Sequence, residues 1–191
     1  MVIGRLLSPV HSLGPGERVC LWTQGCNKKC EGCISPDLQG TQGTKIGNEQ
    51  LSQLIIQVAR KASCSGLTIS GGDPFEQSVD LLELLRLTRE AFSDILVYTG
   101  YTLDEIQKGC AGSSGMECLR YIDVLIDGRY VKKMNTPDCV LRGSSNQEIH
   151  FLNKGKRALF VEYMKRGRII ESFVHDNKTI ITGILNEEEN Q

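Results

Sequence analysis

Three cysteines between residues 26 and 33 are the strongest indication of chemistry in this sequence. Cys26, Cys30 and Cys33 form a C-x3-C-x2-C pattern directly after a predicted strand, in a segment long enough to turn three thiolates towards one centre. Structural zinc sites normally take four ligands, often from two C-x2-C pairs. A cubane 4Fe–4S cluster held by only three thiolates keeps one iron open to a small ligand. The spacing therefore favours an iron–sulfur cluster with an open iron, with zinc as the alternative.

Cys20 lies six residues before Cys26 and leaves two interpretations open. As a fourth ligand, it would complete a zinc site or a closed electron-transfer cluster. As a residue inside the predicted strand VCLW, it would have its side-chain direction fixed by the pleat, and cysteine is among the residue types most often fully buried. We expect Cys20 to be a packing residue.

Glycines and polar residues follow the other predicted strands. They are Gly71, Gly72, Asp73 and Pro74 after the second strand, Tyr98, Thr99 and Gly100 at the end of the third, Asp127 at the end of the fourth, and Arg142 in the loop beyond. Glycine lets the backbone approach a ligand closely, and arginine suits an anion or a peptide backbone. Each segment also has a structural interpretation, as a strand-to-helix turn, a packed tyrosine or a solvated turn.

The elements that must position these residues alternate between strand and helix. The predicted strands are 19–23, 67–70, 95–98 and 124–126, and the predicted helices are 48–62, 78–92 and 103–108. Asn48 is the expected N-cap of the first helix. This alternation predicts an α/β fold with a parallel sheet and right-handed crossovers, either open or curled into part of a barrel. Ligands bind at the carboxyl ends of the strands in such folds.

The chain beyond residue 149 has a different pattern. Its short apolar runs, HFL, ALFVEYM, RIIESFV and TIITGIL, are separated by polar turns. They predict a small antiparallel β appendage over 151–185. The final residues 186–191, NEEENQ, are predicted to form a disordered acidic tail.

The composition is that of an ordinary folded protein. Of 191 residues, 40% are hydrophobic and 24% are charged, which argues against a disordered chain. A net charge of −1 offers no general attraction to nucleic acid or to anionic lipid. No apolar run approaches the roughly 20 residues of a membrane span, and the N-terminal segment lacks the features of a signal peptide. We therefore expect a cytoplasmic protein whose eight cysteines are metal ligands or core residues.

Four segments taken together resemble the radical S-adenosylmethionine (SAM) superfamily. They are TQGCNKKCEGC at 23–33, ISGGDPFEQ at 69–77, VYTGYT at 97–102, and DVLIDGRYV at 123–131 followed by LRGSSNQ at 141–147. The later segments are similar to those of glycyl radical enzyme activases, specifically the activating proteins of anaerobic class III ribonucleotide reductase. The resemblance covers residues 1–150. It implies a radical SAM core domain over that range, with the fold of a partial (β/α) barrel.

The resemblance also implies cofactors, partners and site residues. Cys26, Cys30 and Cys33 would hold a 4Fe–4S cluster whose fourth iron binds SAM. The SAM site would take in Gly71, Gly72, Asp73, Pro74, Tyr98, Thr99, Gly100, Asp127 and Arg142. Because Asp73 stands where the superfamily more often has glutamate, we assign the contact to the backbone there rather than to the carboxylate. The implied partners are a glycyl radical enzyme as protein substrate and flavodoxin or ferredoxin as electron donor.

Two alternatives remain open from the sequence. One is a radical SAM enzyme that acts on another peptide, a nucleoside or a small molecule, and the other is a non-catalytic zinc or iron–sulfur module. The stretch from about residue 155 to 185 extends beyond the point where the shortest family members end. An added β layer there could cover an open sheet edge or reshape the surface that meets the substrate protein.

Overall fold

Strands and helices alternate through the first two thirds of the chain in the computed structural model, which describes residues 1–175 and 178–185. The strands are β1 (Val2–Val10), β2 (Arg18–Thr23), β3 (Thr44–Lys45), β4 (Gly66–Gly71), β5 (Asp94–Tyr98), β6 (Val124–Asp127), β7 (Glu148–Phe151), β8 (Ile170–His175) and β9 (Lys178–Gly183). The helices are α1 (Asn48–Lys61), α2 (Ser78–Thr88), α3 (Leu103–Gln107), α4 (Gly112–Cys118) and α5 (Arg157–Met164). The four strands predicted before residue 130 are confirmed to within two residues.

Seven strands form one mixed sheet in the order β3-β1-β2-β4-β5-β6-β7. The four central strands, β2, β4, β5 and β6, run parallel and lie side by side in chain order. Strands β1, β3 and β7 join antiparallel at the two sides. Parallel strands in unbroken chain order place successive crossover helices on one face, as in a (β/α) barrel. The α/β fold with part of a barrel is therefore confirmed, and the antiparallel strand β1 was missed from the sequence.

The two faces of the sheet are covered by different parts of the chain. The odd-numbered strand residues, such as Leu21, Ile69 and Val97, pack with helices α1 to α4 in the largest apolar cluster. The even-numbered residues point the opposite way, because side chains alternate along a strand. Two smaller clusters on that second face include Phe160 of α5 and Phe173 of β8. We call this second side the inner face. The C-terminal segment therefore packs on the inner face, against the central strands.

Asn48 has a different role from the one predicted. Gly47 occupies the N-cap position, and Asn48 is the first residue of α1. The Asn48 side-chain amide donates to the carboxylates of Asp80 (3.0 Å) and Glu83 (2.6 Å) on α2. The N-cap prediction is therefore wrong, since this side chain joins two neighbouring helices instead of closing the end of its own. Helix α2 also ends earlier than predicted, at Thr88, and a short 3-10 turn over Arg89–Ala91 follows it.

The small antiparallel β appendage predicted over 151–185 is confirmed by the hairpin of β8 and β9, but two of the apolar runs assigned to it lie elsewhere in the fold. The run ALFVEYM lies in helix α5, in which Phe160 and Tyr163 are buried while Leu159 and Val161 are exposed. Burial three residues apart is the period of a helix, not of a strand. Strand β7 belongs to the main sheet, where it pairs with β6. The only separate antiparallel unit in the described part of 151–185 is the hairpin of β8 and β9.

The predicted acidic tail at 186–191 lies outside the described residues. Within the described ranges, no helix is both long enough and apolar enough to cross a membrane.

Substitution of Phe160 tests the packing of α5 on the sheet. We expect Phe160→Ala to lower the free energy of unfolding by about 3–5 kcal/mol, because the ring is fully buried and its loss leaves a cavity. Leu159→Ala is the matched control. Its side chain on the same helix is 48% exposed, and we expect a change of about 0.5 kcal/mol or less. Equal effects of the two substitutions in urea unfolding would contradict the placement of α5.

Candidate metal and cofactor site

The segment that contains the three cysteines, residues 26–33, follows the end of the first parallel strand. We call it the cysteine segment, and backbone hydrogen bonds hold its start in place. The amide of Gly25 donates to the carbonyl of Leu38 (2.8 Å), and the amide of Cys26 donates to that of Gln39 (3.1 Å). The carbonyl of Gly25 accepts from the amide of Asp73 (2.9 Å). The chain around residues 38–39 and the segment after β4 thus fix the position from which the three cysteines extend.

Gly71 and Gly72 are required by the close approach of two backbone segments. A Cβ on Gly71 would lie 2.2 Å from the amide nitrogen of Thr23, and a Cβ on Gly72 would lie 2.3 Å from the carbonyl oxygen of Gly25. Gly71 also has a φ of +120°, which favours glycine. The sequence argument attributed the need for glycine to a ligand. The structure shows that the groups closest to these glycines are the backbone of β2 and the start of the cysteine segment.

Cys26, Cys30 and Cys33 are all partly exposed and line one pocket. Gly71, Gly72 and Asp73 at the end of β4 and Thr99 and Gly100 after β5 line the same pocket. The structure therefore brings the cysteines together with two of the segments predicted to bind SAM.

The arrangement of the cysteines is compatible with a cluster. In the part of the chain that the structure describes, no three His, Cys, Asp or Glu side chains are close enough to share one metal ion. A cubane needs no such convergence, because each thiolate binds a different iron. The backbone amide of Lys28 lies 3.5 Å from Sγ of Cys26 and donates to it, as an amide beside a cluster thiolate would. Burial raises the pKa of this Cys26 thiol, so ligation requires loss of its proton.

Cys20 lies apart from the other three cysteines. It is 1% exposed on the inner face of β2, packs with Val10, Leu13 and Trp22, and is absent from the pocket lining. Burial raises the pKa of its thiol to about 12, so the free thiol stays protonated. The structure supports the interpretation of Cys20 as a packing residue.

The side chain of Asp73 connects the segment after β4 with the segment after β5. One carboxylate oxygen accepts from the amide of Phe75 (3.0 Å) and from the Thr99 hydroxyl (2.9 Å). The other accepts from the amide of Gly100 (3.0 Å). Burial raises the pKa of the Asp73 carboxyl, while these donors and the nearby Lys28 ammonium oppose the rise. Asp73 thus has a structural role, since it links the segment after β4 to the segment after β5.

Lys28 belongs to the site and was missed by the sequence argument, although it lies within the cysteine motif. Its side chain is 7% exposed, and its ammonium lies 3.3 Å from the Glu76 carboxylate and 3.1 Å from the ring centre of Tyr101. The Tyr101 hydroxyl donates to the same oxygen of Glu76 (3.1 Å). A cation held over an aromatic face and against a carboxylate has little freedom. This contact attaches the middle of the cysteine segment to the elements that follow β4 and β5.

Tyr98 and the loop after β6, residues 128–147, complete the inner side of the pocket. The Tyr98 hydroxyl donates to the carbonyl of Leu141 (2.8 Å), and burial raises the pKa of this phenol well above its usual value. In the loop, Gln147 donates to the carbonyl of Gly128 (2.8 Å) and accepts from the amide of Gly143 (2.8 Å). Tyr98, Gly128, Gly143 and Gln147 all line the pocket.

Three residues predicted for the SAM site do not line this pocket. Asp127 shares the face of Leu125, which packs against the helices, and its carboxylate accepts from the amide of Leu103 (2.6 Å). The Arg142 guanidinium donates to the carbonyl of Gln147 (2.9 Å), so it joins two parts of the loop after β6. Pro74 is buried in the 3-10 turn that Asp73 caps. The first of these placements follows from strand alternation, because odd-numbered residues of β6 point away from the inner face.

The last described residues of the chain also line the pocket. Ile181, Thr182, Gly183, Ile184 and Leu185 lie along its wall, far in sequence from every other lining residue. No motif in the sequence marked them, because they are ordinary apolar and small residues at the end of a hairpin.

Replacement of Asp73 tests its structural role. We expect Asp73→Asn to lower the free energy of unfolding by about 1–3 kcal/mol, because an amide nitrogen would then face a hydrogen-bond donor in a buried place. Asp104→Asn is the control, since that carboxylate is 68% exposed in a pair within one helix, and we expect a change of about 0.5 kcal/mol or less. Thermal or urea unfolding of both variants measures the difference. A stability of Asp73→Asn equal to that of the control would count against the link.

Cysteine substitutions test which thiols hold the metal. We expect Cys20→Ala to retain about four irons per chain after anaerobic reconstitution, because Cys20 is a buried packing residue. Cys26→Ala, Cys30→Ala and Cys33→Ala should each lose most of the iron. Iron and sulfide analysis of the four variants decides the question, and loss of iron from Cys20→Ala would show that it is a ligand.

Comparison with known proteins identifies the same region. A family model described as a 4Fe-4S single cluster domain matches residues 12–150. The anaerobic ribonucleoside-triphosphate reductase-activating protein of Escherichia coli strain K12 is 35% identical over 147 residues, which are 73% of this chain and 91% of that protein. The protein of the same name from Haemophilus influenzae is 37% identical over 143 residues, 72% of this chain and 89% of that one. The protein of the same name from Enterobacteria phage T4 is 32% identical over 140 residues, which are 71% of this chain and 85% of that protein.

The range of the family model includes the cysteine motif and every strand of the central parallel sheet. Residues 151–185, which contain α5 and the β8–β9 hairpin, lie beyond the family model. The chain belongs to the radical SAM family of 4Fe–4S single-cluster proteins that includes the anaerobic ribonucleoside-triphosphate reductase-activating proteins.

Proposed function

We propose that this chain activates an anaerobic ribonucleotide reductase by forming a glycyl radical on it. The observation that carries the proposal is the single pocket shared by Cys26, Cys30 and Cys33 with the segments after β4 and β5. The three relatives named above are all reductase-activating proteins. They support the choice of a protein substrate.

The cofactors supply the difficult chemistry. When bound, a 4Fe–4S cluster with an open iron provides the electron for reductive cleavage of SAM to methionine and a 5′-deoxyadenosyl radical. Cys26, Cys30 and Cys33 would hold that cluster, and because no other cysteine among the described residues lines the pocket, one iron would stay open. The role of the protein is to hold the reacting groups, orient them and exclude water.

The strand ends provide the groups that would orient SAM. Gly72 and Gly100 line the pocket, and their amides already donate to the carbonyl of Thr23 and to the Asp73 carboxylate. Their carbonyls are therefore the groups that would accept from the ammonium of SAM. The Thr99 hydroxyl is already committed to Asp73, so Thr99 positions this backbone rather than the ligand. Leu13, Trp22 and Tyr98 line the inner side of the pocket and would keep water from a reactive carbon radical.

The accessible mouth of the pocket suits a macromolecular substrate. Ile34, directly after the last cysteine, is 52% exposed and lines the pocket. Ile181 is 49% exposed and also lines it. Exposed apolar side chains at a mouth are typical of surfaces that meet another protein. A loop of the partner that carries a glycine would enter here and lose a hydrogen atom from its Cα.

We also propose a reducing cytoplasm as the site of action and flavodoxin or ferredoxin as the source of the electron. The cysteine segment supports both, because its three ligands are partly exposed, and a small redox protein could approach them. The same exposure would make the cluster sensitive to oxygen. Neither nucleic acid nor a membrane is part of the proposed activity.

Radical formation on a partner tests the proposed function. The reconstituted protein, mixed anaerobically with SAM, dithionite and the anaerobic reductase of the same organism, should give a glycyl radical signal by electron paramagnetic resonance. Cys30→Ala, which removes one proposed ligand, should give none. SAM cleavage by the wild type without any radical on the reductase would instead favour a radical SAM enzyme with another peptide, nucleoside or small-molecule substrate.

A further inference from the structure

The β8–β9 hairpin has two faces with opposite character. Residues that pair across an antiparallel hairpin share a face, and successive residues alternate. Glu171 and its partner Thr182 therefore point to one side, together with Phe173. Ser172 and its partner Ile181 point to the other, together with Val174. The first side faces the main sheet, and the second faces outward.

The first side is fixed to the loop between β1 and β2. The Glu171 carboxylate accepts from the backbone amides of His11 (2.8 Å) and Ser12 (2.7 Å) and from the His11 ring (2.9 Å). The Thr182 hydroxyl lies 2.9 Å from that of Ser12, and both residues are buried. Phe173 packs against the cluster that contains Trp22. The hairpin is thus attached to the fold by both of its strands.

The end of the segment is held by the loop after β6 and by Arg168. The carbonyl of Leu185 accepts from the side-chain amide of Asn135 (3.0 Å) and from the Arg168 guanidinium (3.2 Å). Arg168 also donates to the Asn135 side chain (2.6 Å). The chain from Thr182 to Leu185 is therefore fixed at both ends, from the β1–β2 loop to the loop after β6, and it crosses the inner side of the pocket.

We infer that residues Ile181 to Leu185 form the wall that contacts the protein substrate and determines which peptide segment reaches the pocket. This inference rests on the proposed function and deepens it. The groups suited to an amino acid cofactor lie at the strand ends, whereas the wall adds apolar surface at the mouth. Ile181 is the residue of the wall that is both half exposed and in contact with the pocket.

The chemistry of the wall defines the peptide it accepts. An extended segment that binds along this wall would bury an apolar side chain against Ile181, with its glycine presented to the pocket. Burial of such a side chain removes apolar surface from water and so strengthens binding. A charged side chain at that place would lose this contact and be desolvated without a partner. Because residues 181–185 lie beyond the matched range 12–150, this selection belongs to this chain and not to the family core.

Two substitutions on the outward face of the hairpin form the test. Ile181→Asp places a charge on the wall. Val174→Asp places the same charge on the same face, where Val174 is 77% exposed and does not line the pocket. The readouts are the concentration of reductase that gives half-maximal glycyl radical, and the change that SAM causes in the electron paramagnetic resonance spectrum of the reduced cluster.

We expect Ile181→Asp to raise the half-maximal concentration of reductase at least tenfold and Val174→Asp to change it less than twofold, with the spectral change on SAM addition present in both. Equal half-maximal concentrations for the two variants would overturn the inference. Loss of the SAM-dependent spectral change in Ile181→Asp alone would also overturn it, because the wall would then belong to the SAM site. If the wild type forms no glycyl radical, the proposed function fails instead, which distinguishes that outcome from a failure of the inference.

Discussion

The contact between the ends of β2 and β4 is the constraint on which the site depends. At this point two parallel strands come so close that neither Gly71 nor Gly72 has room for a Cβ, and the amide of Gly72 donates to the carbonyl of Thr23 (2.8 Å). The same contact fixes the place where the cysteine segment leaves the sheet. Asp73 extends it to the next strand through Thr99 and Gly100. The loop proposed to hold three thiolates around one cluster is thereby attached to the central parallel strands, as a precise site requires.

The C-terminal segment changes the character of the inner face. Helix α5 and the β8–β9 hairpin cover part of the inner face with Phe160, Tyr163 and Phe173. The pocket is then confined to the carboxyl ends of the strands, with the hairpin as one of its sides. Without the added segment, the apolar side chains of the inner face would be exposed to water, which is unfavourable in free energy. The segment covers these side chains and also restricts access to the cysteines. The same C-terminal segment therefore stabilises the fold and controls access to the pocket.

Much of this arrangement could be predicted from the sequence, because the signals were local. Short buried strands followed by glycine or polar residues located the strand ends. The cysteine spacing marked a segment whose three thiols do line the pocket, and their role as metal ligands stays a prediction. Two errors came from signals that are ambiguous in a short window. ALFVEYM is apolar enough for either a strand or a helix, and only the burial of Phe160 and Tyr163 distinguishes the two. Asn48 is a good N-cap by type, but its side-chain amide instead donates to Asp80 and Glu83 on the neighbouring helix.

Other features could not be predicted, because they depend on contacts between distant residues. Whether Asp127 points towards the pocket depends on which side of the sheet the helices cover, and that is decided by packing. The hairpin lines the pocket because Ser12 meets Thr182 across 170 residues of sequence, and no local pattern announces such a contact. Lys28 gave a weak signal by its place inside the cysteine motif, but its burial against Glu76 and Tyr101 appears only in the folded chain.

The central claim is that Cys26, Cys30 and Cys33 hold a cluster with one iron open to SAM. It is tested most directly by iron and sulfide analysis with electron paramagnetic resonance on the anaerobically reconstituted, dithionite-reduced protein, before and after SAM is added. The account predicts about four irons per chain and a spectrum that changes with SAM. Zinc in place of iron, or a cluster spectrum that SAM leaves unchanged, would contradict it.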